Sequence, residues 1–148
     1  MSRRRMRGFD PAAFTRAREA WGYSRGTLGR LAGVSPEAVK SWETGRATPQ
    51  VDTLVKVAAR MGIDIAEVVR IEPASRMLGD LRILTGLTQA QLAAKTGLSV
   101  TVVATLERGE SRLKPDDADT LAKHLHVTPE TVTAAYERAR TRPAHTAP

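Results

Sequence analysis

The chain contains no cysteine, which excludes disulfide frameworks, cysteine-bearing zinc sites and thiol catalysis. No apolar run approaches the roughly 20 residues needed to span a bilayer, and no signal-peptide apolar region follows the arginines at its start. No convincing period-two alternation occurs, so no strand is expected. No nucleophile stands with a partnered base, and there is no glycine-rich phosphate loop, so neither an enzyme nor a cofactor is expected. His124 and His126 lie two apart in a helical stretch and do not share a face as zinc ligands must. Asp116, Asp117 and Asp119 follow Pro115, where a helix N-terminus favours carboxylates, so no metal is expected there. These absences leave the expectation of a soluble cytoplasmic protein with no membrane partner.

What is present is modest basic charge on a chain of 148 residues, one domain by length or two if each is small. Hydrophobic residues make up 41%, enough for small packed cores. Lysine and arginine number 23 against 16 acidic residues, a formal balance of +7 that suits a polyanion partner. Arginine outnumbers lysine 18 to 5, which points to a GC-rich genome of bacterial or phage origin.

A shift of 64 residues aligns 10–70 with 74–134 without a gap. The identical pairs include Arg18/Arg82, Gly33/Gly97, Ser35/Ser99, Val39/Val103, Glu43/Glu107 and Gly45/Gly109. They fall on turn glycines, caps and periodic apolar sites, so one fold is present twice. Each copy is expected to hold five short helices. In the first, Asp10 with Pro11 starts a helix that Gly22 ends; Ser24 starts a second, ended by Gly33; Ser35 starts a third, ended by Gly45. A fourth spans about 51–61, with Leu54, Val57, Ala58 and Met61 on one stripe, and Asp64 opens a fifth through Arg70. Gly86, Thr88, Gly97, Ser99, Gly109, Pro115 and Thr128 punctuate the second copy in the same way. The fold class is therefore all-α, with two tandem domains at 9–71 and 76–141. A basic arm at 1–8 precedes them, and a disordered tail is expected at 142–148. The joint at 72–75, if extended, reaches only about 14 Å, so the domains must be near neighbours.

The segment 24–43 runs helix, tight turn, helix. Gly33 can take positive φ, Val34 can plug the core and Ser35 can cap the next helix. That is a helix-turn-helix, whose second helix is built to enter a major groove; 88–107 repeats it. Here the sequence resembles the Cro and phage-repressor-like (XRE-like) helix-turn-helix regulators. The matching residues are Thr88-Gln89-Ala90-Gln91-Leu92-Ala93 and Gly97-Leu98-Ser99 in copy two. In copy one they are Ser35, Val39, Trp42-Glu43-Thr44-Gly45-Arg46 and Pro49. The resemblance implies double-stranded DNA as partner and transcriptional regulation, more in keeping with repression than activation because occupancy alone blocks polymerase.

The residues themselves suggest how. The helix N-termini at Ser24 and Thr88 offer N–H groups to phosphate, with Arg25 or Gln89 beside them. With Val39, Trp42, Val103 and Leu106 inward, the opposite stripes face the groove. These are Pro36, Glu37, Lys40 and Ser41 after the Ser35 cap, and Val100, Thr101, Ala104 and Thr105 after Ser99. Glu37 could accept from cytosine N4; Lys40, Thr101 and Thr105 could read base edges; Val100 or Ala104 could meet thymine methyls. The resemblance places phosphate contacts at Thr44, Arg46, Arg108, Arg112 and Lys114. Gly26 and Gly29 each cost roughly 1 kcal/mol against alanine in a helix; closer packing is one reason for Gly29. Trp21 and Trp42 are expected in the core, Leu31 on the surface, and Glu43 and Glu107 in structural roles.

Several readings stay open at this stage. Arg3, Arg4, Arg5 and Arg7 either follow the minor groove or backbone, or form a solvated start. The two copies either occupy successive major grooves about 34 Å apart, or copy two forms a homodimer while copy one reads DNA. The alternative function is plasmid or phage maintenance, or an antitoxin with a partner protein on one repeat. A third class is an adaptor binding protein alone.

Overall fold

The computed structural model describes residues 5–142. The chain divides between Arg70 and Ile71 into two compact units. Among the described residues both are helical, and the sole extended pairing is one backbone bridge between Phe9 and Val69.

Unit one begins with α1 (Pro11–Trp21), started by Asp10, whose carboxylate accepts the Ala13 N–H at 3.0 Å, with Pro11 in the first turn. It ends at Gly22, with φ +84°. Next come α2 (Arg25–Ala32), α3 (Pro36–Glu43) and α4 (Val51–Met61). Their apolar stripes close on Phe14, Leu28, Val39, Leu54 and Val57, all fully buried. The buried Trp42 ring meets Phe14 edge-on at 5.9 Å.

The expected fifth helix of this unit is not an α-helix. A single 3-10 turn, Ile65–Glu67, takes its place. The reason lies in the backbone that follows. The Asp10 N–H donates to the Val68 carbonyl at 2.7 Å and the Arg70 N–H to the Gly8 carbonyl at 2.8 Å. The Val68 and Val69 N–H groups close a single turn onto the Ile65 carbonyl, while the Val68 carbonyl and the Arg70 N–H pair with residues 8–10 instead of extending a helix.

Unit two has the full set: α5 (Leu78–Leu84), α6 (Gln89–Thr96), α7 (Val100–Glu107), α8 (Pro115–Leu125) and α9 (Pro129–Thr141). α9 supplies Val132, Ala135 and Tyr136 to the core around Leu81, Leu92, Val103, Leu106 and Leu121. Its Tyr136 hydroxyl donates to the Ser111 carbonyl at 2.7 Å. The joint is not extended, since Pro73–Ser75 forms a 3-10 turn. Arg3 and Arg4, and the tail beyond Arg142, lie outside the described residues.

Two expectations about single side chains are corrected. Trp21 is 56% exposed. As the last residue of α1 it projects past the helix end, with Tyr23 at 6.2 Å and its ring tip beside Gly62. Leu31 is half-buried instead of exposed.

Candidate nucleic-acid interface

Local chemistry starts each helix of the two motifs. Ser24 Oγ accepts the Thr27 N–H at 3.0 Å, and Ser35 Oγ accepts that of Ala38 at 3.1 Å. Thr88 Oγ1 accepts the Gln91 N–H at 3.0 Å, and Ser99 Oγ accepts that of Val102 at 3.1 Å. At the start of each second helix, the first two N–H groups have no intrahelical acceptor, those of Arg25 and Gly26 or of Gln89 and Ala90. Gly33 and Gly97, at φ +76° and +78°, turn the chain between the helices. The close approach anticipated at Gly29 is to that turn: a methyl there would stand 2.5 Å from the Val34 carbonyl oxygen.

One charged cluster holds the three helices together in each unit. In unit one, Arg18 on α1 donates through Nε and Nη2 to both oxygens of Glu43, at 2.6 and 2.9 Å. Its Nη1 donates to the Tyr23 carbonyl at 2.8 Å. Arg25 on α2 adds Nε to Glu43 Oε1 at 3.0 Å. Unit two repeats this 64 residues on: Arg82 donates to both oxygens of Glu107 at 2.6 and 3.1 Å, and to the Leu87 carbonyl at 2.8 Å. Gln89 Nε2 stands where Arg25 stood, 3.0 Å from Glu107 Oε1. The glutamates are structural, joining the end of each motif's second helix to the helices before it.

The Glu43 side chain is 1% exposed and that of Arg18 11%. Burial alone would push the Glu43 carboxyl up. Hydrogen bonds and charge from Arg18 and Arg25 outweigh it and hold the carboxyl below its usual range. The same Glu43 bonds raise the Arg18 pKa further, against its own burial.

With that clamp set, the outward stripes fall as the helical spacing requires. Val39 and Trp42 are buried on α3, while Pro36, Glu37 and Lys40 are exposed and Ser41 is half-buried. Thr44 and Arg46 are exposed just beyond. On α7, Val103 and Leu106 are buried, Val100 and Thr101 exposed, and Ala104 and Thr105 half-buried. Arg112 and Lys114 are exposed.

The two stripes differ in what they offer. The Thr105 hydroxyl is occupied, 3.0 Å from the Val102 carbonyl and 2.8 Å from Ser111 Oγ. Arg108 is paired with Glu110 at 2.9 Å. Val102, outside the stripe that helical spacing turns to the groove, is also exposed. Unit two therefore presents an apolar, weakly charged face, whereas unit one presents Glu37 and Lys40.

A helix-turn-helix family model matches the chain twice, over residues 15–68 and 78–132. The chain belongs to the helix-turn-helix family. Both matches contain a complete motif, so the Cro and phage-repressor-like assignment holds for each copy. The helix-turn-helix chain is thereby a DNA-binding regulator, of a family that is regulatory and not catalytic. No curated protein matches it. Among the described residues, no helix is long and apolar enough to cross a membrane, and no group of three or more histidine, aspartate or glutamate side chains is placed to hold a metal.

Proposed function

We propose that the protein is a sequence-specific, double-stranded DNA-binding transcriptional repressor of the cytoplasm, with unit one as the principal reader. The observation that carries this is the α3 stripe. Glu37 and Lys40 stand exposed on a helix whose other side is locked by Val39, Trp42 and the Glu43 clamp. A lysine and a carboxylate one turn apart can donate to guanine and accept from cytosine. Ser24, Arg25, Ser35, Thr44 and Arg46 flank them as phosphate contacts. Arg25 keeps donors for that purpose, since only its Nε is committed to Glu43.

In unit two, Thr88, Gln89, Ser99, Arg108, Arg112 and Lys114 would hold the backbone. Val100, Thr101, Ala104 and Thr105 would favour thymine methyls. A second reading, in which α7 meets a partner protein or another copy, is favoured by the exposed Val100 and Val102. It suits an antitoxin or a replicon-maintenance protein.

The test is selection of duplexes from a random pool by the full chain, repeated with Lys40→Ala and with Thr101→Ala. Lys40→Ala should cost about 1–3 kcal/mol, roughly 5- to 150-fold in affinity, and relax preference at one base pair. Unchanged preference with Lys40→Ala would overturn the groove assignment for unit one, and with both variants for the whole chain. If only Thr101→Ala is silent, and the chain sediments as a dimer that Val102→Asp dissociates, the second reading replaces it for unit two. Repression itself is read with a reporter carrying the selected site upstream of its coding region.

A further inference from the structure

We propose that the cleft between α8 and α9 of unit two binds a small organic cation with an apolar body. The cleft has a volume of about 580 Å³, within the range of small-molecule sites. Its apolar walls include Leu113, Ala118, Ala134 and Tyr136.

One small side chain and one anchored ring shape it. Ala118, buried at the cleft, stands where unit one has the buried Leu54 in the repeat. A methyl in place of an isobutyl group leaves room for three more carbons. Tyr136 is held by its hydroxyl, which donates to the Ser111 carbonyl at 2.7 Å. Its ring is thereby a fixed aromatic wall, against which an apolar body packs and to which a cation is drawn.

The charge of the cleft decides the class of occupant. The chain carries a formal +7, yet three carboxylates, Asp119, Glu130 and Glu137, line the cleft against one lysine, Lys114. Such a site repels a nucleic acid and attracts a cation. Asp119 and Glu130 are exposed, and neither side chain has a partner among the described residues. Glu137 accepts from Arg140 at 3.2 Å. The residues 64 positions earlier are Val55, Ala66 and Pro73, so the repeat folds without these carboxylates. Nor do they converge on a point: among the described residues, no group of three acidic or histidine side chains is placed to hold a metal. A bare ion would find one carboxylate at a time, whereas a molecule with a body meets the walls and the carboxylates together.

The experiment titrates the full, nitrogen-labelled chain with phenethylamine, phenethyl alcohol and phenylacetate, which share one ring and differ in charge. Amide shifts at Ala118, Thr133 and Ala134 report occupation of the cleft. At about 50 mM salt the amine should bind about fivefold tighter than the alcohol, and phenylacetate more weakly than either. Asp119→Asn with Glu130→Gln should bring amine and alcohol within roughly twofold of each other, as expected when exposed charge pairs are removed. Both side chains are exposed, so this variant keeps the fold. Ala118→Leu, which restores the residue of unit one, should fill the cleft and abolish binding of all three. Equal affinity for amine and alcohol, or a preference that survives the double variant, overturns the site. So does a folded Ala118→Leu chain that binds the amine as before. Magnesium chloride producing the same shifts would replace the organic cation by an ion. No shift with any probe, in a chain that sediments as a dimer, would give the cleft to a second copy and overturn the proposal.

Discussion

Glu43→Ala is expected to cost unit one about 3–5 kcal/mol, the range for leaving one partner of a buried ion pair uncompensated. Two guanidiniums converge on this carboxylate, and Arg18 has almost no exposure through which water could replace it. For a domain of this size such a loss is a large share of total stability. Urea unfolding followed by circular dichroism should show an early transition for one unit while the other keeps its midpoint. Glu43→Gln should fall between, since an amide oxygen can still accept from Arg18.

The same residue sets an acid limit. Its folded carboxyl holds a proton less tightly than its unfolded one, whose ordinary value is 4.5. Its contribution is therefore complete above that value. It drains away as pH falls through it towards the lower folded value. The midpoint of unit one should decline as pH falls below 4.5 in the wild type, and Glu43→Gln should flatten that decline. A Glu43→Ala chain with unchanged unfolding at neutral pH would remove the clamp from the account of how α3 is oriented.

Gly109→Ala is expected to cost roughly twice as much as Gly45→Ala, although the two glycines are equivalents in the repeat. Both sit at positive φ, +71° and +78°, so each alanine meets backbone strain of about 1–2 kcal/mol. At Gly45 a methyl would have nothing within 4 Å. At Gly109 it would stand 2.5 Å from Arg140 Cα and 2.6 Å from Arg140 N, both backbone atoms of α9. α9 must then move, and with it Val132, Ala135, Tyr136 and Ala139 of the core. Overpacking adds about 1–3 kcal/mol. Amide exchange in α9 should speed up in Gly109→Ala, whereas Gly45→Ala leaves unit one's exchange nearly as it was. Equal losses would mean that α9 does not press on this turn.

The elements most legible in the sequence are those that local chemistry starts and stops. Asp10, Ser24, Ser35, Thr88, Ser99 and Thr128 each cap the helix that follows. A cap needs only residues within one turn, so no tertiary knowledge is required. The fifth helix of unit one was not legible. A short segment such as 65–70 has little helical tendency of its own, and its backbone finds partners in residues 8–10 that lie far away in sequence. Trp21 failed for a related reason. Its type suggests burial, but its place at the last position of α1 decides exposure.

In the site, the stripes of α3 and α7 follow from helical spacing around Val39, Trp42, Val103 and Leu106. The clamp spans 25 residues and no local pattern announces it. The recurrence of Arg18 with Glu43 as Arg82 with Glu107 was the signal available. Occupation of Thr105 by Ser111, and of Arg108 by Glu110, depends on rotamers the sequence does not specify.

Both tryptophans lie in unit one, Trp42 sealed against Phe14 and Trp21 in contact with water. Indole emission therefore reports on that unit alone, as one blue and one red component, and is blind to its neighbour. Emission melting together with amide signals would show that the two halves unfold as one body; emission melting separately would show that each stands by itself.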